Sequence, residues 1–313
     1  MSEDGFPHLN RWPPEALARR LELEARKRAG EIQRETRLSR RMTDAMFWIE
    51  KTIWLCGLSG AGRRHFLNPG LRENLVELPA LPEAFDGLRI LHLCDMHFDL
   101  DPALAGIAEE MVRGLSFDAC LMTGDFRDSL TAAGDAGVEK CAKLAASMDK
   151  PVFACLGNHD LAADLPALEA AGVRVLVNRS ACLERSGQRL YIAGVDDPGY
   201  YGTDDFDAAF ADVPPGSCSI ALVHDPEACG KAAASGATLM LSGHTHGGQI
   251  CLPGGFAPLT HSGCRLDKVA GSWRYGSMRG YTSRGVGASR VAARFFCRGE
   301  IVVHVLRRTP PAG

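Results

Sequence analysis

Short apolar runs that alternate with amphipathic stretches are the feature that most constrains the fold of this 313-residue chain. The runs 88–94, 118–123 and 152–156 have the length and hydrophobicity of buried strands. Between them, 101–114 and 133–148 carry apolar residues at helical spacing. Strands that alternate with helices are typical of βαβ units, so we predict an α/β domain with a parallel sheet.

The second half of the chain favours a mixed arrangement that is richer in strands. Single strands are predicted at 173–177, 219–223 and 238–241, and helices at 165–171 and 226–234. Two hairpins are also predicted, and they join 181–185 to 189–195 and 294–297 to 301–306. The sequence therefore predicts a mixed α/β domain that ends in a β-rich tail.

The N-terminal part has a different composition, and we predict that it forms a helical arm. Residues 12–53 are rich in Arg, Glu, Ala and Leu, and Pro13 and Pro14 stand where a helix can begin. One interpretation is an arm that packs on the domain or on a partner chain. The other is peripheral membrane contact through residues 40–60, because aromatic and apolar side chains there follow a basic stretch.

The predicted domain boundary lies near residue 85. A glycine-rich stretch at 57–64 lacks the Lys and the Ser/Thr of a phosphate-binding P-loop, so we predict a flexible connector. Prolines at 69, 79 and 82 then indicate an extended linker. The resulting division is an arm and linker at 1–85, a main domain at 86–308 and a short tail at 309–313.

Composition excludes several classes of protein. With 35 basic and 38 acidic residues the net charge is −3, so no nucleic-acid partner is predicted. No apolar stretch reaches the roughly 18 to 20 residues of a transmembrane helix, and the first ten residues do not resemble a secretory signal. Eleven cysteines without a C-x-x-C pair indicate reduced thiols, so a cytoplasmic location is expected.

Polar residues follow five of the predicted strands, and five of the ten histidines lie there. These turns are Asp95-Met96-His97, Gly124-Asp125-Phe126-Arg127-Asp128, Gly157-Asn158-His159-Asp160, His224-Asp225 and Gly243-His244-Thr245-His246-Gly247-Gly248-Gln249. Ligands of open α/β sheets bind beyond the carboxyl ends of the strands. Carboxylate, imidazole and amide oxygen suit divalent ions such as Zn, Mn, Fe and Ni, so the five turns together predict a metal centre.

The same turns, in this order, resemble the motifs of the calcineurin-like metallophosphoesterases. Residues 86 to 307 carry the resemblance, and the extended motif at 243–249 is similar to a bacterial branch of that family. The resemblance implies a four-layer α-β-β-α sandwich, here with an N-terminal helical extension. It also implies hydrolysis of phosphomonoesters, phosphodiesters or pyrophosphates.

The resemblance also implies a centre of two divalent metal ions (Mn, Fe, Zn or Ni) and a role for each motif residue. The implied ligands of one ion are Asp95, His97 and His246, those of the other are Asn158, His224 and His244, and the shared ligand is Asp125. A metal-bridging hydroxide would attack phosphorus in line. The implied catalytic residues are His159 near the leaving group, Asp160 orienting its imidazole, and Asp128 supporting the ligands.

Three functions stay open at this point. The broad one is hydrolysis of a small phosphoester or pyrophosphate. A narrower one is UDP-2,3-diacylglucosamine pyrophosphohydrolase, an activity within the similar bacterial branch, whose acylated substrate would suit an arm peripheral to the inner membrane. The third, from another class, is a metal-binding scaffold without catalysis, which the complete ligand set disfavours.

Overall fold

Two six-stranded sheets form the centre of the protein in the computed structural model, which describes residues 7–29, 47–260 and 262–309. The first sheet has the order β1-β12-β2-β3-β4-β5 and the second β10-β11-β9-β8-β7-β6. The strands are β1 Gly70–Leu78, β2 Arg89–Leu93, β3 Ala119–Met122, β4 Val152–Ala154, β5 Val173–Val175, β6 Arg179–Arg185, β7 Gln188–Gly194, β8 Ser219–Leu222, β9 Leu239–Ser242, β10 Gly271–Tyr275, β11 Met278–Thr282 and β12 Glu300–Arg308.

Helices cover the outer faces of the two sheets, and further helices precede the first strand in the chain. They are α1 Pro14–Arg28, α2 at residues 47–55, α3 Ser59–Phe66, α4 Ala103–Arg113, α5 Ala132–Ala146, α6 Leu165–Ala170, α7 Phe206–Phe210 and α8 Cys229–Ala234. Among the described residues, none of these helices is both long enough and apolar enough to cross a bilayer.

Three apolar cores separate four layers, as the family resemblance implies. One core lies between the first sheet and α4, α5 and α6, where Leu91 and Leu93 are fully buried. A second lies between the two sheets and includes Ile90 of the first and Ile220 of the second. The third packs α7 and α8 onto the second sheet. Because alternate side chains of a strand point to opposite faces, each sheet contributes to two cores. The fold is an α-β-β-α sandwich.

Parallel pairing brings the predicted turns to one place. In the first sheet β2, β3, β4 and β5 run parallel, and in the second sheet β7, β8, β9 and β11 do so. The carboxyl ends of β2, β3 and β4 lead into the turns at 95, 125 and 158, and those of β8 and β9 lead into the turns at 224 and 244. Five separate segments of sequence therefore meet at the same edge of the sandwich.

The expected linker before residue 85 is instead part of the first sheet. Residues 70–78 form β1, which pairs in parallel with β12. Pro69 and Pro79 lie immediately outside this strand. Proline interrupts a ladder but is tolerated at its ends, so the prolines delimit an edge strand. Likewise, the stretch predicted as a flexible connector contains the helix α3.

The long N-terminal helix and the C-terminal hairpin also differ from prediction. Helix α1 ends at Arg28, and the middle of the predicted helix lies outside the described residues. Residues 294–297 form no hairpin with β12, because β12 pairs with β1 and β2. Instead Arg294 is fully buried, and its Nε donates to the carbonyl oxygen of Gly287 at 2.8 Å. The hairpin of β10 and β11 was not predicted.

Candidate metal centre

The turns at the strand ends have a backbone conformation that L-amino acids rarely adopt. The φ angles are 47° at Asp95, 40° at His97, 57° at Asp125, 68° at His244 and 51° at His246. All five are predicted metal ligands. Left-handed backbone at residues other than glycine costs free energy and concentrates at functional sites, where the surrounding structure enforces it.

Two glycines allow the turns to approach one another closely. A Cβ at Gly157 would lie 2.2 Å from Asp125 Oδ1, and a Cβ at Gly243 would lie 2.4 Å from Asp95 Oδ2. Neither position therefore admits a side chain without displacing a carboxylate. The two glycines thus serve the assembly of the ligand set.

The first predicted ligand trio comes together as expected. His246 Nε2 lies 3.6 Å from Asp95 Oδ1, and the imidazoles of His97 and His246 stack with ring centroids 5.3 Å apart. Asp95, His97 and His246 each offer a donor atom within 4.8 Å of the other two. All three side chains are buried.

The second predicted trio converges on one amide oxygen. Asn158 Oδ1 lies 3.1 Å from His224 Nε2 and 2.8 Å from His244 Nδ1. The donor atoms of His224, His244 and Asp125 lie within 4.8 Å of one another. Both imidazoles and the amide of Asn158 therefore point to the same small volume.

Asp125 lies between the two trios. Its Oδ2 atom is 3.6 Å from His97 Nε2 on one side and 3.2 Å from His224 Nε2 on the other. The carboxylate is 1% exposed, so water does not compete with these contacts. The predicted shared ligand is the group that joins the two halves of the site.

Backbone hydrogen bonds fix which nitrogen of each ring faces the centre. His97 Nδ1 contacts the carbonyl oxygen of Arg127 at 2.8 Å, and His224 Nδ1 contacts that of Thr123 at 2.7 Å. A carbonyl only accepts, so each Nδ1 carries a proton and each Nε2 faces the centre, where it offers a lone pair once that nitrogen is deprotonated. His97 Nε2 is buried and has no hydrogen-bond partner among the described residues. Such a donor set fits divalent metal ions.

The electrostatics of the site depend on the same carboxylate. Burial alone would lower the pKa of His224, but the carboxylate of Asp125, together with Cys94 and Asp95, raises that pKa well above the usual value. Conversely, burial alone would raise the pKa of Asp125, but His224 and His159 hold it well below the usual value. The site therefore retains an ionised carboxylate, which is the state that a cation requires.

His159 and Asp128 lie beside the first trio. The ring of His159 meets that of His97 edge to face at 5.0 Å between centroids, and its Nδ1 contacts the carbonyl oxygen of Asp128 at 2.9 Å. Asp128 Oδ1 accepts from Ser289 Oγ at 3.1 Å and lies 3.8 Å from His97 Nδ1. Desolvation lowers the pKa of His159 to about 4. Asp128 thus lies beside both rings, and its supporting role stays a prediction.

The orienting role predicted for Asp160 is wrong. Its carboxylate accepts hydrogen bonds from the backbone amides of Asp125, Phe126 and Gly157, at 2.8, 2.8 and 2.7 Å. It therefore ties the second turn to the third, and the imidazole of His159 is held by the carbonyl of Asp128 instead. Burial, with the nearby carboxylates of Asp125 and Asp164, raises the pKa of Asp160 to about 7.

Three residues near the site were missed by sequence reasoning. Arg294 Nη1 donates to the carbonyl oxygen of His246 at 3.0 Å. Asp197, just beyond β7, is buried, and its Oδ1 has no hydrogen-bond partner among the described residues. The apolar run before Asp197 was the available signal, since β7 is parallel to β8. Lys27 of α1 donates to the carbonyl oxygen of Asn158, and nothing in the sequence links the two positions.

Comparisons with known proteins agree with this geometry. Residues 88–248, about half of the chain, match the family described as calcineurin-like phosphoesterase. The chain is 30% identical over 268 residues to the uncharacterized metallophosphoesterase YkuE of Bacillus subtilis (strain 168). The alignment covers 80% of this chain and 91% of YkuE. It is also 30% identical over 271 residues to the phosphodiesterase YaeI of Escherichia coli (strain K12). That alignment covers 78% of this chain and 92% of YaeI.

Proposed function

Because the chain belongs to the calcineurin-like phosphoesterase family and is a metal-dependent phosphoesterase, we propose that its seven predicted ligands hold two divalent cations that share Asp125. One ion would be held by Asp95, His97 and His246, and the other by Asn158, His224 and His244. The observation that carries the proposal is the position of Asp125 Oδ2, between His97 Nε2 at 3.6 Å and His224 Nε2 at 3.2 Å.

Different residues of the chain would have different roles in phosphoester hydrolysis. When bound, a pair of divalent ions supplies an activated water for in-line attack and charge that neutralises the phosphoryl oxygens. His159, held by the carbonyl of Asp128, would place its Nε2 toward the leaving group. There it would act as the doubly protonated imidazolium, with Nδ1 donating to that carbonyl and Nε2 donating to the leaving-group oxygen, whose developing negative charge would raise the low pKa of the ring. Asp160 keeps the turns that carry Asp125 and Asn158 in register.

We propose phosphodiesters as the substrate class. The support is the likeness over most of the chain to YaeI, which is named a phosphodiesterase. A pyrophosphate such as UDP-2,3-diacylglucosamine is the alternative, and cleavage of either bond uses the same attack on phosphorus. The same metal ligands would serve phosphodiesters and pyrophosphates, so an assay is needed to distinguish the two substrate classes.

The test is hydrolysis by the purified full chain loaded with Mn²⁺. Bis-p-nitrophenyl phosphate, p-nitrophenyl phosphate, cyclic nucleotides and UDP-2,3-diacylglucosamine are assayed in parallel. We expect turnover of the diester, and a fall of more than about 100-fold in Asp125→Asn, since even partners of metal ligands cost about 10- to 100-fold. Equal turnover by the wild type and Asp125→Asn would contradict the shared-ligand proposal. Turnover of the pyrophosphate alone would overturn the substrate class.

We also propose peripheral membrane contact through α2, in a protein of the cytoplasmic compartment. Residues 40–46 of the predicted contact lie outside the described residues. In the described part the exposed large apolar side chains are Phe47, Trp48, Trp54, Leu55 and Leu58. Flotation of the full chain with anionic vesicles tests the proposal, with the triple variant Trp48→Gln, Trp54→Gln and Leu55→Gln as comparison. Equal flotation of both proteins would contradict it.

A further inference from the structure

Helix α1 carries a buried polar face, although it precedes the segment that matches the family. Arg20, Glu24 and Lys27 are spaced i, i+4 and i+7, so they lie on one side of the helix. Their exposed fractions are 0%, 4% and 8%. Charged side chains are rarely buried unless specific partners compensate them. The partners of this face therefore indicate what the helix does.

All three side chains contact the turn that follows β4. The ammonium of Lys27 donates to the carbonyl oxygen of Asn158. Arg20 Nη2 donates to that of Asp160 at 2.6 Å. Glu24 Oε1 accepts from the amide of Ala162 at 2.8 Å. The two carbonyls flank His159 in sequence, so α1 holds the backbone on both sides of the proposed leaving-group residue.

The helix itself is anchored to the second sheet. Arg20 forms a buried ion pair with Asp196, and its guanidinium lies 3.6 Å from the ring centroid of Tyr201. The indole Nε1 of Trp12, just before the helix, donates to Asp196 Oδ2 at 2.6 Å. Lys27 Nζ lies 4.2 Å from the ring centroid of Tyr200. α1 thus connects the end of β7 in one sheet to the turn after β4 in the other.

Lys27 differs from the other two residues in its surroundings. Arg20 pairs with Glu24 at 2.8 Å and with Asp196, so both of these charges have ion-pair partners. Burial lowers the pKa of Lys27 to about 8, and the carboxylates of Asp125 and Asp197 oppose this by attracting the ammonium. If Lys27 served only to pack the helix, an apolar side chain of similar size would do so without the cost of burying a charge. The buried ammonium instead holds the turn that carries Asn158.

We propose that Lys27 is a positioning residue of the phosphoesterase site, acting through Asn158 and His159. This inference rests on the proposed function, because it assigns Asn158 to a cation and His159 to the leaving group. The ammonium fixes the carbonyl of Asn158, and Arg20 fixes that of Asp160, so the amide oxygen and the imidazole between them keep one geometry. The N-terminal helix is then part of the active site.

The test compares Lys27→Met, Lys27→Arg and the exposed neighbour Arg28→Met in the full chain. With Mn²⁺ and bis-p-nitrophenyl phosphate, we expect kcat of Lys27→Met to fall about tenfold or more, with KM within about threefold. Lys27→Arg keeps a cationic donor and should recover most of the loss. Arg28→Met should match the wild type. Melting temperatures without metal identify variants that fail to fold, and Lys27→Gln then replaces Lys27→Met.

Calorimetric titration with Mn²⁺ gives a readout that does not depend on turnover. In Lys27→Met we expect one class of Mn²⁺ site to weaken about tenfold, because Asn158 is no longer held. Tighter Mn²⁺ binding would mean that the ammonium acts only by repelling cations, which would overturn the positioning role. A double-mutant cycle adds a second check, since Lys27→Met should cost less than about threefold in an Asn158→Ala background.

The outcomes separate this inference from the proposed function. An inert wild type would remove the proposed function, whereas Mn²⁺ titration would still report on Lys27. An active wild type together with a Lys27→Met variant that equals Arg28→Met, in both kcat and Mn²⁺ affinity, would overturn the inference alone.

Discussion

Two groups of buried histidines occupy this molecule, and they differ in what surrounds their rings. His92 of β2 and His304 of β12 lie in the space between the sheets, where His92 Nδ1 is 3.2 Å from His304 Nε2. Burial lowers the pKa of His92 to about 3. At the strand ends His97 and His224 are equally buried, yet neighbouring groups, with the carboxylate of Asp125 foremost, together raise the pKa of both above the usual value, against burial.

The hydrogen bonds of the ring nitrogens also differ between the two groups of histidines. Both ring nitrogens of His92 have partners, since Nε2 contacts Thr123 Oγ1 at 2.9 Å. His304 Nδ1 contacts Asn74 Nδ2 at 3.0 Å. His97 instead presents a buried Nε2 that lacks a hydrogen-bond partner in the described structure. Burial of a histidine alone therefore does not indicate a metal site, whereas a buried ring nitrogen that faces a carboxylate and has no hydrogen-bond partner does.

The largest effect is expected on kcat, from a substitution of His159, which lies among the histidines at the strand ends. Replacing His159 with Asn removes the ring that the carbonyl of Asp128 orients. Groups that donate a proton in the transition state contribute about 10²- to 10⁴-fold, so we expect kcat to fall by about 100-fold or more. Mn²⁺ content should stay at the wild-type level, because His159 is not among the proposed ligands. A loss of metal in this variant, measured by elemental analysis, would place His159 among the ligands.

A smaller effect, on stability rather than on turnover, is expected between the sheets. His92→Leu leaves Thr123 Oγ1 and His304 Nε2 without their partner. An unsatisfied buried polar group costs about 1 to 3 kcal/mol, so the free energy of unfolding should fall by about that amount. Denaturant unfolding measures it. Turnover per folded molecule should stay within about threefold, and a collapse of kcat at full folding would show that the two groups are coupled.

The smallest effect is the pH dependence that the His92–His304 pair adds to stability. The folded pKa of His92 is about 3, and the unfolded one is near 6.5. The unfolded chain therefore binds the proton first, so stability is complete above about pH 6.5 and declines as pH falls toward 3. Between pH 7 and 5.5 the loss from His92 is about 1 kcal/mol. The decline measured in His92→Leu should be shallower, and an unchanged slope would contradict the assignment.

The positions of the proposed ligands at the strand ends could be predicted from the sequence for a physical reason. A buried parallel strand reads as an apolar run, and the residue after it lies at the ligand-binding edge wherever the strand falls in the sheet. Asp95, Asp125 and Asn158 could be placed at that edge without knowledge of the strand order. The separation of their donor atoms could not be, because it depends on how the two sheets pack.

Other features required the folded chain. β1 is an edge strand with exposed Leu71 and Leu75, so its apolar pattern is weak and the flanking prolines suggested a linker. Arg294 lies in an apolar run that resembles a strand, but its guanidinium binds backbone carbonyls of the loops. The contact between Lys27 and Asn158 spans 131 positions of sequence and has no local signal.

The central claim is that two cations share Asp125, each of them within reach of one of the two ligand trios. Crystals grown with Mn²⁺ and measured near the manganese absorption edge test it most directly. We predict two anomalous peaks about 3.5 to 4 Å apart, one on either side of the Asp125 carboxylate. A single peak, or two peaks that have no ligand in common, would contradict the claim.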